Sequence, residues 1–279
     1  MLEGCSSHAC FGGTQYYYQH QSKVIGLPMR FSAYIPHLAK QGPVPVLFFL
    51  AGLTSTEETF MIKAGAQRLA AEYGIILVSV DTSPRQTGIV GETDSWDLGA
   101  GAGFYLDATQ APWSQYFKME SYITQELYEL VLEEFPVDSN KIGIWGHSMG
   151  GHGALIFALK YPKLYCSVSA FAPLAAPIYS SLGQKAFRNY LGEDRQLWRK
   201  YDTTALIEDG CRIPEPLIDQ GLNDEFFSEL CPDRLETACK AANQPLTLRY
   251  HKNYDHGYYF VSTFVADHMK HHVDIFANR

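Results

Sequence analysis

Cysteine is scarce and unpatterned in this 279-residue chain: six residues, with no Cys-x-x-Cys pair. That counts against a disulfide scaffold or a dithiol redox motif. Excess positive charge is missing too. Lysine and arginine number 22 against 30 aspartates and glutamates, a formal charge of −8. This is the wrong sign for gripping a nucleic-acid backbone. Long apolar runs are absent as well. The longest, Val44 to Leu53, is broken by Pro45 and Gly52 and falls short of the ~18 residues of a membrane helix. The opening Met1-Leu2-Glu3-Gly4 has neither the basic stretch nor the apolar core of a secretory leader. The expectation is a cytoplasmic protein that meets neither membrane nor nucleic acid. No repeat, low-complexity block or Pro/Gly/Ser-rich linker divides the chain, which predicts one domain over residues 1–279.

What is present is enough apolar material for a sizeable core: 46% hydrophobic residues against 19% charged. Met29, Phe31, Ala33 and Ile35 alternate with polar neighbours, the period of a half-buried strand. Val46–Leu50 and Ile75–Val80 are short continuous apolar runs, as in strands covered on both faces. Ile142–Trp145, Tyr165–Phe171, Pro216–Asp219 and Leu246–Tyr250 complete the predicted strands. Between them lie helical stripes: Ile62, Ala66, Leu69, Ala70 and Tyr73; then Ile123, Leu127, Val131 and Phe135; then Gly150–Tyr161; finally Val261, Phe264, Val265, His268 and Ile275. This alternation predicts an α/β fold with a mostly parallel sheet, helices on both faces and an antiparallel N-terminal edge. The connection from Asp81 to Met119 is unusually long. Its Trp96, Phe104, Tyr105 and Trp113 favour a packed, functional loop.

The most informative stretch is Gly146-His147-Ser148-Met149-Gly150, a Gly-x-Ser-x-Gly between an apolar strand and a helix rich in small residues. A serine nucleophile on a sharp strand-to-helix turn needs small neighbours two residues away on each side. The turn aims the Met149 N–H at the place where negative charge develops. Such a serine needs a base, and the base needs an orienting carboxylate. In the order Ser, Asp/Glu, His, His256 follows the last strand. Asp219, Asp224 and Glu225 compete for the carboxylate, position favouring Asp224. A second oxyanion donor belongs in Ala51-Gly52-Leu53-Thr54-Ser55-Thr56, where Gly52 permits close approach and the Leu53 N–H is well placed. His147, His152, His251, His268, His271 and His272 read mainly as packing or surface residues. His268, His271 and His272 have chelating spacing but no evident companion ligand. Cys5-x-x-His8-x-Cys10 is half a metal site at a terminus expected to be mobile.

These residues carry a resemblance. Leu50-Ala51-Gly52-Leu53-Thr54, Lys63-Ala64-Gly65-Ala66-Gln67-Arg68, Asp81-Thr82-Ser83-Pro84-Arg85 and Gly101-Ala102-Gly103-Phe104-Tyr105 resemble the S-formylglutathione hydrolases, the esterase D family. So do Ala108-Thr109-Gln110-Ala111-Pro112-Trp113, Gly146 to Ala154, Asp219-Gln220-Gly221 and Tyr254-Asp255-His256. The resemblance implies an α/β-hydrolase fold and a cytosolic, often dimeric enzyme without metal or organic cofactor. It implies hydrolysis of the S-formylglutathione thioester to glutathione and formate, in formaldehyde removal. Ser148 would be the nucleophile, Asp224 the orienting acid and His256 the base, with Leu53 and Met149 as oxyanion donors. Ser55, Trp96, His147 and Leu182 are candidates for the acyl or substrate pocket. Three positions depart from the family: Ser55 where cysteine is common, Leu182 where tryptophan is common, and Gly257 where serine follows Tyr-Asp-His. The first predicts weaker inhibition by thiol reagents, and the second room for acyl groups larger than formyl.

Overall fold

A computed structural model describes residues 2–279. Nine strands form one sheet: β1 (Leu2–Cys10), β2 (Gly13–Gln21), β3 (Pro28–Ile35), β4 (Val44–Leu50), β5 (Ile76–Val80), β6 (Val137–His147), β7 (Ser167–Phe171), β8 (Leu217–Gly221) and β9 (Thr247–His251). Their spatial order is β1-β2-β3-β5-β4-β6-β7-β8-β9. Pairings from β5 through β9 are parallel, and β1, β2 and β3 form the antiparallel edge.

Alternation along β7 divides the two helical layers. The Ser167 and Ser169 hydroxyls meet His272 and His268 of the C-terminal helix Tyr258–Ala277. Ala170, of opposite parity, faces Gly151 of helix Met149–Lys160. With both faces covered, β4, β5, β7 and β8 are almost wholly buried. This explains their continuous apolar runs.

Three features differ from the sequence reading. The first residues are not a loose end: β1 and β2 form a hairpin that extends the sheet. Its turn residues Phe11 and Gly12 both have positive φ, 46° and 76°, as a two-residue type I′ turn requires. Nearly every β1 residue is exposed, so backbone pairing holds the strand and no burial pattern announces it. The Cys5, His8 and Cys10 half-site is part of this strand, and among the described residues no cluster of metal-ligating side chains occurs. Second, the stripe from Ile62 to Tyr73 belongs to two helices, Glu57–Lys63 and Gln67–Tyr73. Gly65, at φ +71°, breaks the phase and leaves Ile62 67% exposed. Third, the 123/127/131 stripe is buried as expected, but Tyr122–Leu127 is a π-helical stretch. A strict spacing of four exceeds 3.6 residues per turn, and a widened turn accommodates it.

Candidate active site

Four loops leave the C-terminal ends of parallel strands β4, β6, β8 and β9, where open α/β sheets bind their ligands. Ser148 follows β6 with φ 58° and ψ −121°, a conformation L-residues adopt only when the surroundings enforce it. The glycines on either side explain how. A Cβ on Gly146 would lie 2.3 Å from the Gly150 carbonyl oxygen, and a Cβ on Gly150 only 1.9 Å from that of Leu50. The start of the helix is thus pressed onto the end of β4. The Ser148 backbone is bonded on both sides: its N–H donates to Phe171 O at 2.9 Å, and its carbonyl accepts from His152 N at 3.0 Å.

The β4 loop is held by residues distant in sequence. The Tyr105 hydroxyl donates to Ala51 O at 2.8 Å, and Thr54 N donates to Gly101 O at 2.8 Å. Ser55 O accepts from Thr82 Oγ1 at 2.6 Å and from Arg85 Nη2 at 2.9 Å. Arg85 is itself fixed by a fork of bonds to the buried Asp81 carboxylate. Burial pushes the Asp81 carboxyl up, and Arg85 opposes that shift. Sequence reasoning gave Arg85 no role and read Tyr105 only as part of a packed, functional loop. Their signal lay in the quoted Asp81–Arg85 and Gly101–Tyr105 motifs. Leu53 and Met149 both border the cavity beside Ser148. The Leu53 N–H has no acceptor among the described residues, and Met149 opens its helix, where the N–H has no intrahelical partner.

Of the three candidate carboxylates, Asp224 is the one bonded to His256. His256 Nδ1 lies 2.7 Å from Asp224 Oδ2. Gln220 Nε2 donates to the same oxygen at 3.0 Å, and Phe226 N donates to Oδ1 at 2.7 Å. Asp219 is engaged elsewhere. The Arg249 guanidinium grips it with two bonds of 2.6 Å, and His268 Nε2 stands 3.2 Å away. Although burial alone would raise it, these partners hold the Asp219 carboxyl well below the usual range. Glu225 is exposed. The two loops that carry Asp224 and His256 are laced together: Leu222 N to His251 O and Asn223 N to Tyr254 O, each 2.9 Å. Gly221 allows this approach, since a Cβ there would lie 2.4 Å from Tyr254 O.

Ser148 and His256 border one cavity of about 330 Å³. Ser55, Trp96, His147 and Leu182 also line it, with Phe104, Leu174, Phe226 and Leu230 supplying further apolar wall. Leu182 is set by the N-terminus of helix Ser181–Leu191, where the Glu229 carboxylate accepts from Ser181 N and Ser180 Oγ, both at 2.7 Å. His147 packs its ring 4.6 Å from that of His256. Burial and the neighbouring imidazole push His147 well below 6.5, so it stays neutral beside His256. His268 and His272 form a buried chain with Ser169 and Ser167, and His271 Nε2 lies 3.1 Å from Val168 O. The three are structural.

A strand-to-helix serine turn, a histidine–carboxylate pair and free amides beside an apolar cavity, on this sheet, define a protein of the α/β-hydrolase type. A family model described as a putative esterase matches residues 22–271. The chain is 49% identical to mouse S-formylglutathione hydrolase over 275 residues, 97% of each protein. It is 50% identical to the Paracoccus denitrificans S-formylglutathione hydrolase, over 98% of this chain and 97% of that one. A solved S-formylglutathione hydrolase from Agrobacterium tumefaciens superposes with a TM-score of 0.95 at 46% identity, covering 97% of this chain and 98% of its own. The chain therefore belongs to the S-formylglutathione hydrolase family of esterases.

Proposed function

We propose that this enzyme hydrolyses S-formylglutathione to glutathione and formate, a step of formaldehyde removal, through a Ser148–His256–Asp224 triad. His256 takes the Ser148 proton as Oγ attacks the thioester carbonyl. The N–H groups of Leu53 and Met149 receive the developing oxyanion. As the carbon–sulfur bond breaks, His256 returns its proton to the departing thiolate, leaving a formyl ester on Ser148. A thiolate departs readily, because its thiol has a pKa near ~8.5. His256 then deprotonates a water, which attacks the formyl ester; as the ester bond breaks the imidazolium returns its proton to Ser148 Oγ, and the formic acid released ionises to formate. Asp224 keeps the imidazole oriented and balances its transient charge.

The observation that carries this reading is the 2.7 Å His256–Asp224 bond on the cavity that also holds Ser148. The substrate follows from the relatives, which are S-formylglutathione hydrolases. Ser148→Ala is expected to lose on the order of 10⁶ in kcat. Retention of most of the activity would end the nucleophile assignment.

A second reading, a broad short-chain carboxylesterase, is favoured by Leu182 and Ser55 on the cavity wall. Comparing kcat/KM for S-formylglutathione with that for a p-nitrophenyl short-chain ester separates the two. A strong preference for the ester would demote the glutathione thioester.

A further inference from the structure

The proposed mechanism leaves one charged wall residue unused. Lys63 is the last residue of helix Glu57–Lys63 and borders the cavity that holds Ser148. No aspartate or glutamate lines that cavity, although the chain as a whole carries a charge of −8. The ion-paired lysines among the described residues are Lys160, Lys185 and Lys270; Lys63 has no such partner. Its Nζ stands 5.7 Å from the centre of the Tyr258 ring, a contact that holds an ammonium loosely in place. Lys63 is thus an exposed, unpaired cation on a cavity wall that carries no acid, the electrostatic requirement for holding an anion.

We propose that Lys63 holds the glycyl carboxylate of the glutathione leaving group. This rests on the substrate reading above. Two groups of the tripeptide carry carboxylates. The γ-glutamyl carboxylate has its own ammonium beside it, which a lone lysine repels. The glycyl carboxylate is an uncompensated anion, and that is the charge an unpaired lysine selects. Lys63 is therefore a specificity residue for the thiol half of the substrate and is indifferent to a neutral ester.

The test uses S-methylglutathione and its glycyl ethyl ester as competitive inhibitors of p-nitrophenyl acetate hydrolysis, so it does not depend on thioester turnover. In the parent enzyme, esterifying the glycyl carboxylate is expected to weaken inhibition about five- to tenfold. In Lys63→Met, S-methylglutathione should inhibit as weakly as its ester does. Lys63→Arg should restore most of the difference, and added salt should shrink it in the parent. The kcat/KM for p-nitrophenyl acetate should stay unchanged in both variants. The proposal is overturned if S-methylglutathione does not inhibit the parent, or if Lys63→Met leaves its inhibition constant unmoved. It is equally overturned if that variant loses neutral-ester activity in proportion, which would mark a structural role. If the inhibition pattern holds but the parent does not hydrolyse S-formylglutathione, the substrate reading fails and the carboxylate subsite stands.

Discussion

Single residues set the chemistry through space as much as through charge. Gly146 and Gly150 are dictated by carbonyl oxygens that any side chain would strike, and their tight fit keeps Ser148 in its strained conformation. Leu182 lines the cavity, where its size matters to any acyl group bound there. The resemblance to the family implies tryptophan at this position. Leu182→Trp is expected to shrink the acyl space, lowering kcat/KM for p-nitrophenyl butyrate about tenfold relative to the acetate. Steady-state kinetics on the two esters measure this, and an unchanged ratio would show that residue 182 does not bound the acyl group. His147 contributes by staying neutral. A second cation 4.6 Å from His256 would oppose the imidazolium that forms during attack.

Among the elements, the loop from Asp81 to Met119 matters because it supports a different loop. Arg85 spans the gap, one guanidinium nitrogen on the Ser55 carbonyl and the fork on Asp81. Lysine carries the charge without the fork. Arg85→Lys is therefore expected to loosen the segment that presents the Leu53 N–H, lowering kcat about tenfold while KM for a neutral ester changes little. A melting temperature close to the parent's would separate this from unfolding, and an unchanged kcat would remove Arg85 from the site. The lacing of the β8 and β9 loops does the same for the His256–Asp224 pair, with Gly221 and Gln220 as its close-packed and hydrogen-bonded members. Each was present in a short quoted motif. No periodicity could reveal its partner, because the contacts join segments tens of residues apart.

For the whole molecule, buried histidines set the response to acid. His152 lies under the nucleophile turn, and burial takes it from 6.5 to about 4. As pH falls below 6.5 the unfolded chain takes up this proton first, so stability is lost between 6.5 and about 4 and levels off below. The loss from this group is about 3 kcal/mol. His147, His268 and His272, also lowered, act in the same direction. His152→Leu keeps an apolar filler and cannot be protonated. It is expected to flatten part of the decline in chemical-denaturation stability between pH 6.5 and 4. A decline as steep as the parent's would show that His152 is not responsible.

The sequence by itself determined the alternation of strands and helices, the strand-to-helix serine, and the order Ser, Asp, His of the proposed triad. These are local properties: apolar period, turn chemistry and spacing. Only the tertiary structure decided that Asp224 rather than Asp219 serves the histidine, because Arg249 and His268 reach Asp219 from β9 and the last helix. It alone revealed the N-terminal hairpin, whose exposed strand buries too little to leave a pattern. It also joined Arg85 to the Ser55 carbonyl and Lys63 to the cavity, since hydrogen bonds and field lines cross space without regard to position along the chain.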